Sequence, residues 1–251
     1  MRWQQEENDM IDIHTHILPG VDDGAEDLTD ALLMAELAAE SGVHTIIATP
    51  HGNIPGGINL EKSAELKNRL RDLQEKIEER GVPLQLLSGM EIYVTEDVTE
   101  KMKDGKVLSL NESDYYLIEF GFFADAGWIT DRLEEIRAMG AVPVIAHPER
   151  YVCIQKKPEI AADWIDLGCQ LQMNKGSIFG KFGRASFYAA DRLLGNDCIT
   201  YVASDAHSPY HRTTYMKDIQ EFLQEEYSSA FANRLLQENP QRFLLGGSPK
   251  G

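Results

Sequence analysis

Short apolar runs rich in β-branched and aliphatic residues alternate along this chain with helical patterns. Seven runs are predicted to be buried strands: MIDI at 10–13, HTIIAT at 44–49, LQLLSGM at 84–90, YYLIEF at 115–120, AVPVIA at 141–146, CQLQMN at 169–174 and CITYVA at 198–203. Helical periodicity lies between and after them, for example before Gly42, before Gly81 and over residues 214–237. Strands that alternate with helices build a parallel sheet, so the pattern predicts an α/β fold.

The length and composition favour one large core. The chain has 251 residues, of which 43% are hydrophobic, and no linker or composition break divides it. We therefore predict a single domain over residues 1–251, with residues 1–9 as a polar N-terminal extension. Seven parallel strands in one such domain favour closure into a barrel, with an open doubly wound sheet as the alternative.

Charge and cysteine content exclude several classes of protein. The net charge of −17, spread along the chain, argues against affinity for nucleic acid or for an anionic membrane. We expect a cytoplasmic protein, because no apolar run approaches a membrane span or a secretory leader. Cys153, Cys169 and Cys198 lack metal-binding spacing, and none has an arginine six residues later, so the loop of a cysteine-dependent phosphatase is absent.

Candidate metal ligands follow six of the seven predicted strands. In strand order these are His14 with His16, His51, Glu91, Glu119, His147, and Asp205 with His207. The carboxyl ends of barrel strands converge on one face, and five of the seven histidines fall there. Residues two apart in an extended strand point the same way, so the motifs HTH and SDAH each present two ligands together.

The chemistry of these ligands favours hydrolysis. A set of nitrogen and oxygen donors suits Mn, Fe, Zn or Co, and it argues against a thiolate-bound structural zinc. Two or more such ions, held a few ångströms apart, would produce a hydroxide at neutral pH and stabilise the oxygens of a phosphoryl transition state.

Six motifs carry a resemblance to a known family: DIHTHILPGVDDG, ATPH, GMEIYV, LIEF, AHPERY and SDAH. Together they resemble the PHP (polymerase and histidinol phosphatase) superfamily. They are more closely similar to the metal-dependent bacterial protein-tyrosine phosphatases that are encoded with capsular and exopolysaccharide synthesis systems. The resemblance covers residues 11–212, and it implies a distorted (β/α)7 TIM-like barrel of the PHP type.

The resemblance also implies a cofactor and a role for each site residue. The cofactor would be three divalent ions, with Mn2+ expected and Fe, Zn or Co as alternatives. Their ligands would be His14, His16, Glu91 and Asp205 for the first ion; Glu91, Glu119 and His147 for the second; and Asp23, His51 and His207 for the third. Asp22 competes with Asp23 for the last role. Arg150 and Arg212 would be the catalytic arginines that bind the phosphate.

The implied reaction is hydrolysis of phosphotyrosine by direct attack of a metal-bridging hydroxide. The implied partner is a phosphorylated bacterial tyrosine kinase whose tyrosine-rich tail controls capsular or exopolysaccharide synthesis. Tyr151, Phe179, Phe182 and Tyr210 are candidates to line the mouth of the site. The sequence leaves the oligomeric state open.

Three alternative functions remain at this stage. The chain could hydrolyse histidinol phosphate or another small phosphoester within the same family, or it could be a non-catalytic regulator that binds the kinase. Amidohydrolases also carry an HxH motif on a barrel strand, but their bridging ligand is commonly a carboxylated lysine. Here Glu91 and Glu119 already supply carboxylates.

Overall fold

The computed structural model describes residues 9–55 and 63–244, so the predicted N-terminal extension lies outside the described residues except for Asp9. Every strand pair in these ranges is parallel, as the alternation of strands and helices predicts. The strands are β1 (Met10–Thr15), β2 (Val43–Ala48), β3 (His51–Gly52), β4 (Gln85–Ser88), β5 (Glu91–Tyr93), β6 (Tyr115–Glu119), β7 (Val142–Ala146), β8 (Gln170–Asn174) and β9 (Tyr201–Ala203).

Helices connect the strands and cover the sheets. They are α1 (Leu28–Glu40), α2 (Ser63–Glu79), α3 (Val98–Lys103), α4 (Ala126–Ala138), α5 (Val152–Lys156), α6 (Ile160–Asp166), α7 (Lys175–Ile178), α8 (Arg184–Gly195), α9 (Lys217–Glu226) and α10 (Ser229–Asn233). The helix predicted over 214–237 is not continuous, because α9 ends at Glu226 and a second helix, α10, begins at Ser229. Ser228 then caps α10 by accepting a hydrogen bond from the Phe231 backbone N–H at 3.1 Å.

The closed seven-stranded barrel is not observed. The described strands form two sheets, in the orders β1-β2-β4 and β3-β5-β6-β7-β8-β9. The second and third predicted strands, 44–49 and 84–90, end near Thr49-Pro50 and Gly89-Met90, and a further short strand, β3 or β5, follows each of them. Pro50 has no N–H for the ladder, while its carbonyl accepts the Glu91 N–H at 3.1 Å. An isolated bridge between Thr15 and Ala206 links β1 to the segment after β9, and the Ser204 N–H also donates to Asp12 Oδ1 at 3.0 Å.

An apolar cluster packs between the strands of the two sheets, and polar residues occupy the carboxyl ends of the strands. Its members include Ile13, Leu117 and Val144, from three different strands. At the amino ends, the Phe243 ring contacts Tyr115 and Tyr201, with centroid separations of 5.4 Å in both pairs. Because aromatic side chains fill that end, the opposite end is where a functional site can open.

The cysteines and helices agree in part with the sequence analysis. All three thiols are free, but Cys169 alone is buried, while Cys153 and Cys198 are partly exposed. Within the described ranges, every helix is too short or too polar to cross a membrane.

Candidate metal centre

The structure brings all nine predicted ligand residues together at the carboxyl ends of the strands. They form overlapping groups whose ligand atoms lie within 4.8 Å of one another: His16, Asp23, His51 and His207; His14, His16 and Asp205; His14, Glu91 and His147; and His51, Glu91 and Glu119. The three predicted ligand sets are thus contiguous in space. Glu91 contacts the histidines of several groups, which suits a bridging carboxylate.

Hydrogen bonds orient three of the imidazoles. His14 Nδ1 lies 2.8 Å from Gln172 Oε1, and His16 Nδ1 lies 2.7 Å from Asp22 Oδ2. His207 Nδ1 lies 3.0 Å from the backbone carbonyl of Asp205. An acceptor at Nδ1 holds the proton there, so each ring presents the Nε2 lone pair to the centre of the cluster, as in histidines that bind metals.

The separations between donor atoms fit metal coordination. Two ligand atoms about 2.1 Å from one ion, at a right angle, would be ~3.0 Å apart. His51 Nδ1 and Glu91 Oε2 are 2.9 Å apart, yet both atoms are buried without a hydrogen bond. The Nε2 atoms of His14 and His16 are 3.3 Å apart. Since two lone pairs cannot bond each other, atom pairs this close are suited to share a cation, and the residues fit metal ions.

The crowding of carboxylates shifts the pKa values of the cluster. Burial and the neighbouring charge of Glu91 raise the pKa of Glu119 to about 8. Burial alone would lower the pKa of His51, but the neighbouring carboxylates of Asp23 and Glu91 raise it to about 10. Without metal ions, protons therefore supply the positive charge that these carboxylates require.

Two adjacent aspartates that the sequence could not separate occupy different positions. The Asp23 Oδ1 atom lies 3.4 Å from Nε2 of His51 and 3.4 Å from Nε2 of His207. Asp22 instead accepts hydrogen bonds from the backbone N–H groups of Gly24 and His51, besides the one from His16. The contacts of Asp23 therefore fit a ligand, whereas those of Asp22 fit a residue that orients His16.

Arg150 and Arg212 converge on one side of the cluster. Arg150 Nη1 lies 3.7 Å from Asp205 Oδ2, and the Arg212 guanidinium pairs with the same oxygen. Arg212 Nε also donates to the Asp205 carbonyl at 3.1 Å. His147, Asp205 and Arg212 have φ values of 33°, 50° and 53°. Left-handed backbone at residues other than glycine is uncommon, and it concentrates at functional sites.

The comparison with known proteins identifies the family. Residues 10–245 match the family model described as capsular polysaccharide synthesis, CpsB/CapC. The chain belongs to the CpsB/CapC family. This match confirms the resemblance given by the sequence motifs.

Relatives in this family have similar lengths. Tyrosine-protein phosphatase YwqE of Bacillus subtilis (strain 168) is 35% identical over 235 residues, which cover 94% of this chain and 91% of that protein. Tyrosine-protein phosphatase CpsB of Streptococcus pneumoniae is 32% identical over 241 residues, which cover 94% of this chain and 98% of that protein. A chain from crystal structures of YwqE and CpsB, described as unique metal-dependent tyrosine phosphatases, matches with a TM-score of 0.87 and 35% identity over 95% of each chain.

The aromatic residues predicted at the mouth have mixed positions in this CpsB/CapC chain. Phe179 and Tyr210 are exposed, and Phe182 lies under Arg150 and Arg212. Tyr151 is instead fully buried, and its hydroxyl donates to the Ala146 carbonyl at 2.8 Å. Its predicted position at the mouth was wrong, because this hydrogen bond holds it in the core.

Sequence reasoning missed three residues that orient the site, Gln172, Asn174 and Phe122, and it considered Asp22 only as an alternative ligand. Gln172 and Asp22 hold His14 and His16, and the Asn174 side chain donates to Asp205. The Phe122 ring lies 4.3 Å from the Arg150 guanidinium, opposite Phe182 at 4.6 Å. The alternating polar residues in CQLQMN were the available indication for Gln172 and Asn174, since an apolar strand interior does not require them.

Proposed function

We propose that this CpsB/CapC protein is a metal-dependent protein-tyrosine phosphatase that acts as a single domain. The observation that carries the proposal is the convergence of nine nitrogen and oxygen ligands with two arginines on one buried cluster. The names of the relatives, tyrosine-protein phosphatases, support the choice of substrate.

The residues proposed as ligands would hold three divalent ions, Mn2+ by expectation, with Fe, Zn or Co as alternatives. The sets, as the family resemblance implies them, are His14, His16, Glu91 and Asp205; Glu91, Glu119 and His147; and Asp23, His51 and His207, and separations of at most 3.7 Å connect the members of each set. Such ions lower the pKa of a bound water and offset the negative charge of the phosphate.

Arg150 and Arg212 are proposed to bind the phosphate of the substrate. Both guanidinium groups already contact a carboxylate oxygen of Asp205, so each can form charge-assisted hydrogen bonds to an anion at this position. Phe122 and Phe182 fix the plane of Arg150 from both sides. In a chain with a net charge of −17, phosphate recognition depends on this local concentration of positive charge.

The leaving group explains a preference for tyrosine phosphate. A tyrosinate has a pKa of about 10, so it leaves without strong protonation, whereas a serine alkoxide does not. We expect a phosphotyrosyl peptide to be hydrolysed much faster than a phosphoseryl peptide of the same sequence. Equal kcat/KM values for the two peptides would contradict this selectivity.

The proposed partner is a phosphorylated bacterial tyrosine kinase with a tyrosine-rich tail, in a capsular or exopolysaccharide system, and the proposed location of this protein is the cytoplasm. A variant of His147 separates this proposal from a non-catalytic regulator. We choose His147→Asn, because asparagine tolerates the φ of 33° at this position. The variant should lose phosphate release and its effect on the kinase together. A variant that binds and regulates the kinase without releasing phosphate would favour the regulator.

A further inference from the structure

A surface without acidic residues adjoins Arg150. No Asp or Glu occurs between Asp166 and Asp191, although the chain holds 41 acidic and 24 basic residues. Within this interval, residues 179–188 form the loop before α8 and its first turn, and we refer to them as the 179–188 surface. Its aromatic and cationic side chains, all exposed except the half-buried Phe182, are Phe179, Lys181, Phe182, Arg184, Phe187 and Tyr188.

Phe182 joins this surface to the candidate phosphate-binding arginines. The ring centroid lies 4.6 Å from the Arg150 guanidinium carbon and 5.4 Å from that of Arg212. On its other side, the ring packs so closely on Gly176 that a Cβ there would lie 2.6 Å from it. Phe182 is therefore fixed in place, and Lys181 and Arg184 flank it at the rim of the site.

The cations of this surface are available to a ligand. Lys181 and Arg184 form no ion pair with any acidic residue in ranges 9–55 and 63–244, and Arg184 stacks on the Tyr188 ring at 6.0 Å. Gln155 Nε2 donates to Ser186 Oγ at 3.2 Å, so α5 packs against the first turn of α8. Lys156, the last residue of α5, and the following Lys157 are both exposed.

We propose that the 179–188 surface binds a second phosphotyrosine of the peptide whose first phosphotyrosine is hydrolysed. This inference rests on the proposed function. Lys181 and Arg184 supply charge for a phosphate dianion, and the exposed Phe179 and Phe187 rings supply apolar contact for a phenyl ring. The rest of the chain is strongly acidic and repels a peptide that carries two phosphate groups. The electrostatic attraction at the 179–188 surface offsets this repulsion.

Three peptides of one sequence test the proposal on the Mn2+-loaded protein. The first carries one phosphotyrosine, the second adds a non-hydrolysable phosphonate analogue of phosphotyrosine nearby, and the third has Glu at that second position. We expect the second peptide to have the lowest KM. Replacing Lys181→Ala together with Arg184→Ala should reduce its advantage in kcat/KM over the first peptide by roughly 2- to 10-fold.

A matched control removes the same charge elsewhere. Lys76→Ala with Arg80→Ala changes α2 and the residue after it, at the amino end of β4, and should leave the advantage unchanged. If both double variants lose the same part of the kcat/KM advantage, net charge alone explains the effect and the proposal is overturned. If the Glu peptide has the same KM as the phosphonate peptide, the assignment to phosphotyrosine is overturned. It is also overturned if the phosphonate peptide has no advantage in kcat/KM over the peptide with one phosphotyrosine.

A binding measurement separates failure of this inference from failure of the proposed function. A fluorescent peptide with phosphonate analogues at both positions needs no turnover, and its anisotropy reports binding to the Mn2+-loaded protein. Tight binding that requires Lys181 and Arg184, in a protein that hydrolyses no phosphotyrosine, would support the surface and contradict the phosphatase. If the protein hydrolyses phosphotyrosine but binds this peptide weakly, and the double variant does not change that binding, the result would support the phosphatase and contradict the surface.

Discussion

Asp22 and Asp23 are adjacent carboxylates with different surroundings. Asp22 is enclosed by His16 Nδ1 and two backbone N–H groups, which leave little of it free for an ion. Asp23 is more exposed and lies between the Nε2 atoms of His51 and His207, which hold its pKa below the usual range. Ligands and the residues that orient them are thus distinguished by which histidine nitrogen they face.

This difference predicts distinct effects of two isosteric substitutions. Asp23→Asn should remove one ion from the bound stoichiometry, because an amide is a much weaker ligand than a carboxylate. Asp22→Asn should keep the stoichiometry but weaken metal affinity by roughly 10- to 100-fold, since His16 loses its partner. Elemental analysis and titration against a competing chelator measure both quantities. Equal stoichiometry and equal affinity in the two variants would show that their roles are not distinct.

The ligand residues were predictable one by one, whereas their orienting partners were not. A histidine at the carboxyl end of a predicted strand is placed by topology, and topology follows from the alternating pattern. The pairing of Gln172 with His14 depends on the spacing of two strands that are far apart in sequence. No local pattern specifies that distance.

Strand β8 contributes no metal ligand, and its inward side chains orient the neighbouring residues instead. Gln170 accepts a hydrogen bond from the Tyr201 hydroxyl, Gln172 from His14, and Asn174 donates to Asp205. These residues alternate along the strand, so they share one face. The strand therefore orients candidate ligands on other segments and supplies none of the nine candidates itself.

Replacing Gln172 tests this role of β8. Gln172→Leu should weaken metal affinity by roughly 10- to 100-fold, because His14 Nδ1 loses its acceptor and the ring is free to rotate. Gln170→Leu is the matched control on the same strand face, and its affinity should equal that of the parent protein. Chelator competition measures both variants, with circular dichroism to check folding. Parent-like affinity in Gln172→Leu would contradict the orienting role.

The divided strands are the main feature of the fold that periodicity did not predict. The sequence pattern placed seven strands in order, and the parallel pairing follows that order. It did not reveal that Pro50 and Gly89 interrupt two of them. The apolar run continues through Gly89, where a Cβ would lie 2.8 Å from Ile47 Cγ2. This close packing depends on contacts between strands, which a one-dimensional pattern does not contain.

At the scale of the whole molecule, the metal-free site should make stability depend on pH. Folding raises the pKa of Glu119 from 4.5 to about 8 and that of His51 from 6.5 to about 10. The folded protein therefore holds protons that the unfolded chain has released. The stability from these groups is complete below the unfolded pKa values, and it is lost as pH rises through about 8 and then about 10.

We therefore expect the melting temperature of the chelator-treated protein to fall between pH 7 and pH 9.5. Saturating Mn2+ should remove most of this fall, because the ions replace the protons as the source of positive charge. Glu119→Gln should make the fall smaller in the metal-free protein. Differential scanning calorimetry at several pH values measures these effects. A melting temperature that rises over the same interval without metal would contradict the assigned pKa shifts.

The most direct test of the proposed function is phosphate release from a phosphotyrosyl peptide by chelator-stripped protein, before and after addition of Mn2+, with histidinol phosphate assayed in parallel. We expect no release from the stripped protein, and restored release from the peptide but not from histidinol phosphate. Release from histidinol phosphate alone would assign the chain to small-molecule hydrolysis within the same superfamily. Peptide hydrolysis that persists without metal would contradict the central claim.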